Sequence, residues 1–272
     1  MRRGPGSYYR RVQSVRFAVG RDRTAIVAFL RATYPIELSL GARVRLVTRF
    51  VHITNHVRTY HTQAELLRVT DRILRLAGRS GLTVLEAGAG KGGGTAKLSL
   101  VAELAGGRLV VCDSFRGMPP NQEQHANIYG RRTEFREGAF RGTLSLVQRN
   151  VERFGAAQVC RFVKGWFADT LPALVEPVDV VLLDVDLVES TRTCVRWLYP
   201  RIRAGGTLLS QDGHLTGTIA LLSDPRFWRD EVGVVAPLVH GLGSEKLIEM
   251  PAAATMPNPE TTQGVAPKDH PL

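Results

Sequence analysis

Thr83-Val84-Leu85-Glu86-Ala87 is a short apolar run that gives way to Gly88-Ala89-Gly90-Lys91-Gly92-Gly93-Gly94 and then to an apolar helical stretch, Thr95–Leu104. Five glycines fall within the eight residues after Glu86. A strand, a glycine turn and a helix N-terminus together bring bare backbone N–H groups close to a ligand. The spacing is neither GxGxxG nor that of a phosphate-binding loop ending in Gly-Lys-Ser/Thr, so a nucleotide-like ligand is indicated without its class.

Outward from this turn, short β-rich runs alternate with helical ones. Candidate strands are 83–87, 108–113, 159–163, 178–184 and 207–210; candidate helices are 95–104, 144–154 and 190–199. Near-continuously apolar strands are expected where helices cover both faces of a parallel sheet. Two final runs, 232–239 and 246–250, flank the turn Gly241-Leu242-Gly243-Ser244 and read as a hairpin closing the sheet edge. The pattern predicts an α/β, doubly wound, mostly parallel seven-stranded sheet over residues 62–250. A basic helical segment, 1–61, precedes it, with residues 1–20 poorly ordered and helices near 24–32 and 42–57. The proline-rich residues 251–272 read as a disordered tail.

The net charge of +11 is unevenly spread. Residues 1–60 hold twelve arginines against Asp22 and Glu37, whereas the other 212 residues hold 24 basic and 23 acidic groups. Such a segment suits nucleic acid, anionic lipid or an acidic partner, or reads as a solvated basic extension or an N-terminal helical cap. It lacks the interleaved aromatics of a single-strand nucleic-acid platform, and no Asn-Pro-Pro-Tyr motif of amino-methylating nucleic-acid enzymes occurs, which argues against nucleic acid. No run of about 18 apolar residues suggests a membrane span. Three dispersed cysteines, Cys112, Cys160 and Cys194, read as small buried hydrophobes of a cytoplasmic protein.

The strand after the turn ends in Asp113, followed by Ser114. A carboxylate there suits a ribose diol, because it accepts two hydroxyl hydrogen bonds. Leu182-Leu183-Asp184-Val185-Asp186 and Ser210-Gln211-Asp212-Gly213-His214 end neighbouring strands, so Asp184 and Asp212 are expected to converge. Such hard oxygen ligands suit Mg²⁺, which lowers the pKa of a bound hydroxyl. His214 is an alternative base. The insert 120–142, with Glu123, His125 and Tyr129, is long enough to be a lid over an acceptor.

These motifs resemble the macrocin O-methyltransferase family, magnesium-dependent sugar O-methyltransferases within the class I S-adenosylmethionine-dependent methyltransferases. The matching stretches are Glu86-Ala87-Gly88 with Gly92-Gly93, Asp113-Ser114-Phe115-Arg116-Gly117-Met118-Pro119, Gly165-Trp166-Phe167-Ala168-Asp169-Thr170-Leu171-Pro172, Asp184–Thr191, Leu198-Tyr199-Pro200 and Gly213-His214. The resemblance implies S-adenosyl-L-methionine as cofactor, contacted by Glu86, Ala87, Gly88, Ala89, Asp113, Ser114, Gly165, Trp166, Phe167 and Asp184. It implies Asp184 as metal ligand and general base for a small-molecule hydroxyl acceptor; His214, from its own chemistry, is the second catalytic candidate, and a homo-oligomer is left open. Where the family carries a paired Asp-Asp, this chain has Ser210 and Gln211. Either Asp212 joins Asp184 as metal ligand with Gln211 assisting, or the metal site is lost and the chain binds cofactor without the family's catalysis.

Overall fold

A computed structural model describes residues 21–252 of the chain. The expectations for residues 1–20 and 253–272 lie outside the described residues. Two helices, α1 (Arg21–Arg31) and α2 (Leu40–His56), precede α3 (Gln63–Arg75). Thr62 starts α3 through a capping box: its hydroxyl accepts from the Glu65 N–H, and the Glu65 carboxylate accepts from the Thr62 N–H. The helices share one core with the sheet, in which Phe29, Phe50 and Ile53 meet Leu66, Leu98 and Val101. Arg43 of α2 supports this packing by donating to the carbonyls of Phe29, Ala32 and Leu38 around the end of α1.

Strands β1 (Thr83–Ala87), β2 (Arg108–Asp113), β5 (Cys160–Lys164), β6 (Val178–Leu183), β7 (Ile202–Ser210) and β8 (Ile248–Pro251) form the main sheet, in the order 5-2-1-6-7-8. All pairings are parallel except β7 with β8. Helices α4 (Gly93–Leu104), α5 (Leu144–Phe154) and α7 (Val188–Leu198) fall where periodicity puts them; the short α6 (Phe167–Thr170) and α8 (Thr216–Ser223) carry no clear period. Every residue of β1 and β6 is buried, as helical cover on both faces requires. Strand order reverses between β1 and β6, so the crevice beyond their C-terminal ends is where an open α/β sheet binds ligands.

The sheet has six strands among the described residues, not seven. The first arm of the expected hairpin is not a strand: a π-helical turn, Phe227–Val232, ends at Gly233, and Val235 and Leu238 are 89% and 72% exposed. Pro237 follows in the same stretch and has no N–H for a ladder. Only His240 pairs, with Glu249 of β8. Within the insert 120–142, β3 (His125–Ala126) and β4 (Arg132–Thr133) make a small antiparallel hairpin. It is anchored on the sheet edge by Ile128 N–H donating to the His214 carbonyl, and by a bridge between Asn127 and Leu215. No helix among the described residues is long and apolar enough to cross a membrane.

Candidate active site

At the C-terminal ends of β1, β2 and β6 lies a cleft of about 310 Å³, within the ~300–1,000 Å³ of small-molecule sites. Gly88, Ala89, Gly90, Gly93, Gly94, Asp113, Ser114, Gly165, Trp166, Phe167, Asp184 and His214 line it, so most sequence-derived candidates meet in one place. Gly88 sits at φ +93°, and a Cβ there would lie 2.1 Å from the Asp184 carbonyl oxygen. This glycine therefore lets the end of β1 approach the end of β6. Gly90, at φ +51°, instead faces open space. Gly92 caps α4 without any side-chain hydrogen bond, which leaves first-turn N–H groups for a ligand.

Asp113 is less free than a bare ribose acceptor. Its Oδ2 accepts from Ala89 N–H at 2.7 Å and its Oδ1 from Phe115 N–H at 2.6 Å, so it also staples the glycine turn to β2. Burial raises its pKa, opposed by the N–H groups of Phe115, Ala89 and Gly90. Glu86 and Ala87 do not line the cleft among the described residues. Ala87 packs in the core, and Glu86 accepts the Thr95 hydroxyl at 2.5 Å beneath the turn. Burial pushes the Glu86 carboxyl up to about 8, so near neutrality it is largely a neutral acid.

Asp184, Asp186 and Asp212 bring one carboxylate oxygen each to within 4.8 Å of one another. Asp212 Oδ2 accepts from the N–H groups of Val185 and Asp186, which fold the end of β6 around it. Asp212 Oδ1 and both side-chain polar atoms of the fully buried Gln211 have no hydrogen-bond partner. The unsatisfied Asp212 oxygen within a cluster of three carboxylates fits the donor set of a divalent cation. Asp186 sits at φ +59°, a strained position for a residue other than glycine. Burial, with repulsion from Asp212 and Asp184, raises Asp186 well above its usual pKa, and burial with the Asp184 charge raises Asp212 to about 7. Burial also opposes ionisation of Asp184, but His61, Lys246 and His214 outweigh it and hold its pKa below the usual range. Asp184 is thus the charged member of the cluster.

His61 and Lys246 were not foreseen. His61 Nε2 lies 3.2 Å from Asp184 Oδ2, and its Nδ1 lies 3.2 Å from the Thr59 hydroxyl. The Thr62–Glu65 capping box was the available signal: it fixes the start of α3 and so aims the three preceding residues at the cleft. Lys246 comes from the turn before β8, and nothing local in sequence marks it. In the insert, Glu123, His125 and Tyr129 do not line the cleft, whereas Asn127, Phe135 and Phe140 do. Glu123 caps α7 by accepting from the N–H groups of Val188 and Glu189, His125 packs on Phe135, and Tyr129 is 66% exposed. Burial lowers the pKa of His214, as does Lys246, which keeps the imidazole neutral and able to accept a proton.

A 4'-O-methyltransferase of Streptomyces olivaceus that acts on 8-demethyl-8-(2,3-dimethoxy-alpha-L-rhamnosyl)-tetracenomycin-C is 36% identical over 135 residues, 47% of this chain and 52% of that protein. The mycinamicin III 3''-O-methyltransferase of Micromonospora griseorubida is 34% identical over 112 residues, 38% of this chain and 42% of that protein. The chain thus spans about half the length of the curated relatives it matches, or less. Among solved structures, the O-methyltransferase NovP shares the fold at a TM-score of 0.61 and 21% identity, over 74% of this chain and 84% of that one. The family described as Macrocin-O-methyltransferase (TylF) matches residues 75–240, the span holding the glycine turn, Asp113, Asp184 and Asp212, and the chain belongs to it.

Proposed function

We propose that the protein is an S-adenosylmethionine-dependent O-methyltransferase acting on a hydroxyl of a small molecule, a sugar or another secondary metabolite. The observation that carries this reading is the meeting of the glycine turn and Asp113 with an ionised Asp184 in one cleft. The cofactor supplies an electrophilic methyl group on a sulfonium. Gly90, the first turn of α4 and Asp113 cradle it, with Trp166 and Phe167 on the flank. Bound there, S-adenosylmethionine would supply its methyl group to the acceptor hydroxyl, giving a methyl ether and S-adenosylhomocysteine. Asp184 takes the hydroxyl proton, and His214, neutral in the same cleft, is the second acceptor for it. The rest is proximity and alignment.

Magnesium, where bound, would be held by Asp184, Asp186 and Asp212, with Gln211 as a neutral oxygen donor, and would lower the pKa of the acceptor hydroxyl. The buried Asp212, one residue beyond Gln211, supports the first of the two readings of the altered strand end over loss of the site. An intracellular, cytoplasmic setting accords with the free cysteines. Calorimetric titration with S-adenosylmethionine tests the proposal: saturable binding is expected, and its absence in a folded sample overturns the reading. A methylated hydroxyl in mass spectra of sugar-bearing acceptors is the second expected result.

A further inference from the structure

Asp184 is met in the cleft by a part of the chain that precedes the family-matched span. Thr59 and His61 lie between α2 and α3, whereas the family match begins at residue 75. His61 is 4% exposed, and its Nε2 lies 3.2 Å from Asp184 Oδ2. That nitrogen makes no hydrogen bond elsewhere among the described residues. A buried polar atom is costly unless it is satisfied, and the carboxylate is the acceptor beside it.

The opposite ring nitrogen indicates where the imidazole carries its proton. Thr59 Oγ1 accepts from the His61 backbone N–H at 3.5 Å and lies 3.2 Å from His61 Nδ1. Having accepted from the backbone, the hydroxyl has its own proton to give, and Nδ1 receives it. An imidazole that accepts at Nδ1 carries its proton on Nε2. The ring is also confined. The Thr62–Glu65 capping box anchors the residue that follows it, and a Cβ on Gly94 would come within 3.2 Å of His61 Cε1. The second residue of α4 thus makes room for the imidazole by having no side chain.

We propose that His61 is the positioning residue of Asp184: Thr59 sets its Nε2–H tautomer, and that N–H holds Asp184 Oδ2. This rests on the methyltransferase reading only for its catalytic consequence. A carboxylate free to swing meets the acceptor hydroxyl in a productive geometry only part of the time. One held through a single oxygen keeps that geometry, which is where proximity acts. In this role His61 takes no proton from the acceptor, because its cleft-side nitrogen is already protonated, and the proton goes to Asp184.

The test is long-range ¹H–¹⁵N correlation spectroscopy of the full chain labelled with ¹⁵N-histidine, in EDTA at about pH 8, where free imidazole is neutral. The His61 signals are those lost in His61→Gln. Wild type should show a bare Nδ1 and a protonated Nε2 whose proton lies downfield and exchanges slowly. Thr59→Val should mix the two tautomers, and Thr59→Ser should restore the wild-type pattern. Asp184→Asn should move the Nε2 proton upfield, since an amide oxygen is a weaker acceptor than a carboxylate, and leave the tautomer as it was. A protonated Nδ1 in wild type, an unchanged pattern in Thr59→Val or an unmoved proton in Asp184→Asn overturns the proposal. The other histidines report folding in the same spectra, and the shape-conserving Asp184→Asn keeps the test decisive if Thr59→Val does not fold. Titration of wild type with S-adenosylmethionine in the same buffer separates the two readings. Absence of binding removes the methyltransferase assignment, whereas the spectra alone decide whether His61 holds Asp184.

Discussion

Asp184 is the residue on which backbone and side-chain roles meet. Its N–H donates to the Ala87 carbonyl, its own carbonyl packs under Gly88, and its carboxylate faces His61 and the cleft. Asp184→Asn keeps the first two and removes the negative charge that takes the hydroxyl proton, pairs with His61 and would help hold magnesium. Turnover should fall by about 10²–10⁴-fold, with cofactor affinity near wild type by calorimetry. Undiminished turnover would transfer the base role to His214. Gly88→Ala tests the backbone role. A methyl group 2.1 Å from a carbonyl oxygen, at φ +93°, cannot be relieved by rotating a side chain. The positive φ alone costs roughly 1–3 kcal/mol, so urea unfolding should show at least that loss, together with weakened cofactor binding as Asp184 is displaced.

Among the elements, α4 shows what the sequence conveys and what it hides. The glycine turn before it and the apolar run within it are local signals, and the helix begins at Gly93, two residues earlier than its apolar pattern suggests. Lys97 in the middle of that run gives no sign of its fate. It is fully buried, donating to Thr54 of α2 at 2.7 Å, where Gln63 of α3 also donates. Burial pushes its pKa down from 10.5 to about 7 despite the Asp22 charge. Between about pH 7 and 10.5 the unfolded chain holds a proton that the folded chain does not, so this group makes stability rise with pH across that window. The slope is at most about 1.4 kcal/mol per pH unit. Urea midpoints at pH 7, 8.5 and 10 should show wild type gaining on Lys97→Met as pH rises; parallel curves would mean that Lys97 stays protonated when folded. The contrast extends across the sheet. β1, β2 and β6 were readable because central parallel strands are apolar throughout, and Asp113 and Asp184 because they end such strands. The arm at 232–239 reads as a strand because its valines and Leu238 satisfy a strand period, while Pro237 and the π-helical turn forbid the pairing. The capping box hints at the His61 segment, but its partner Asp184 lies 123 residues on, and tertiary packing alone brings Lys246 into the same cleft.

In the whole molecule, the cleft joins the segment before α3 to the sheet rather than belonging to the sheet alone. Arg58, Thr59, Tyr60 and His61 form one wall, packed against Gly93, Gly94 and Asp184. Tyr60 stacks edge-on against Phe140 of the insert at 5.0 Å, so three separate parts of the chain close around the same volume. The core likewise runs from α1 through α4, so α1 and α2 pack into the same cluster as the helices of the sheet. Arg43 acts inside the molecule on the end of α1, and Arg49 donates to the Phe154 carbonyl. A ligand bound in such a cleft stabilises every wall it touches. At 100 times its dissociation constant, S-adenosylmethionine adds about 2.7 kcal/mol, or roughly 5–10 °C in Tm at about 2–4 °C per kcal/mol. Hydrogen exchange locates the gain: amides of residues 58–61 and 88–94 should slow together on cofactor addition. Protection confined to 88–94 would show that the segment before α3 only covers the fold and takes no part in holding the cofactor.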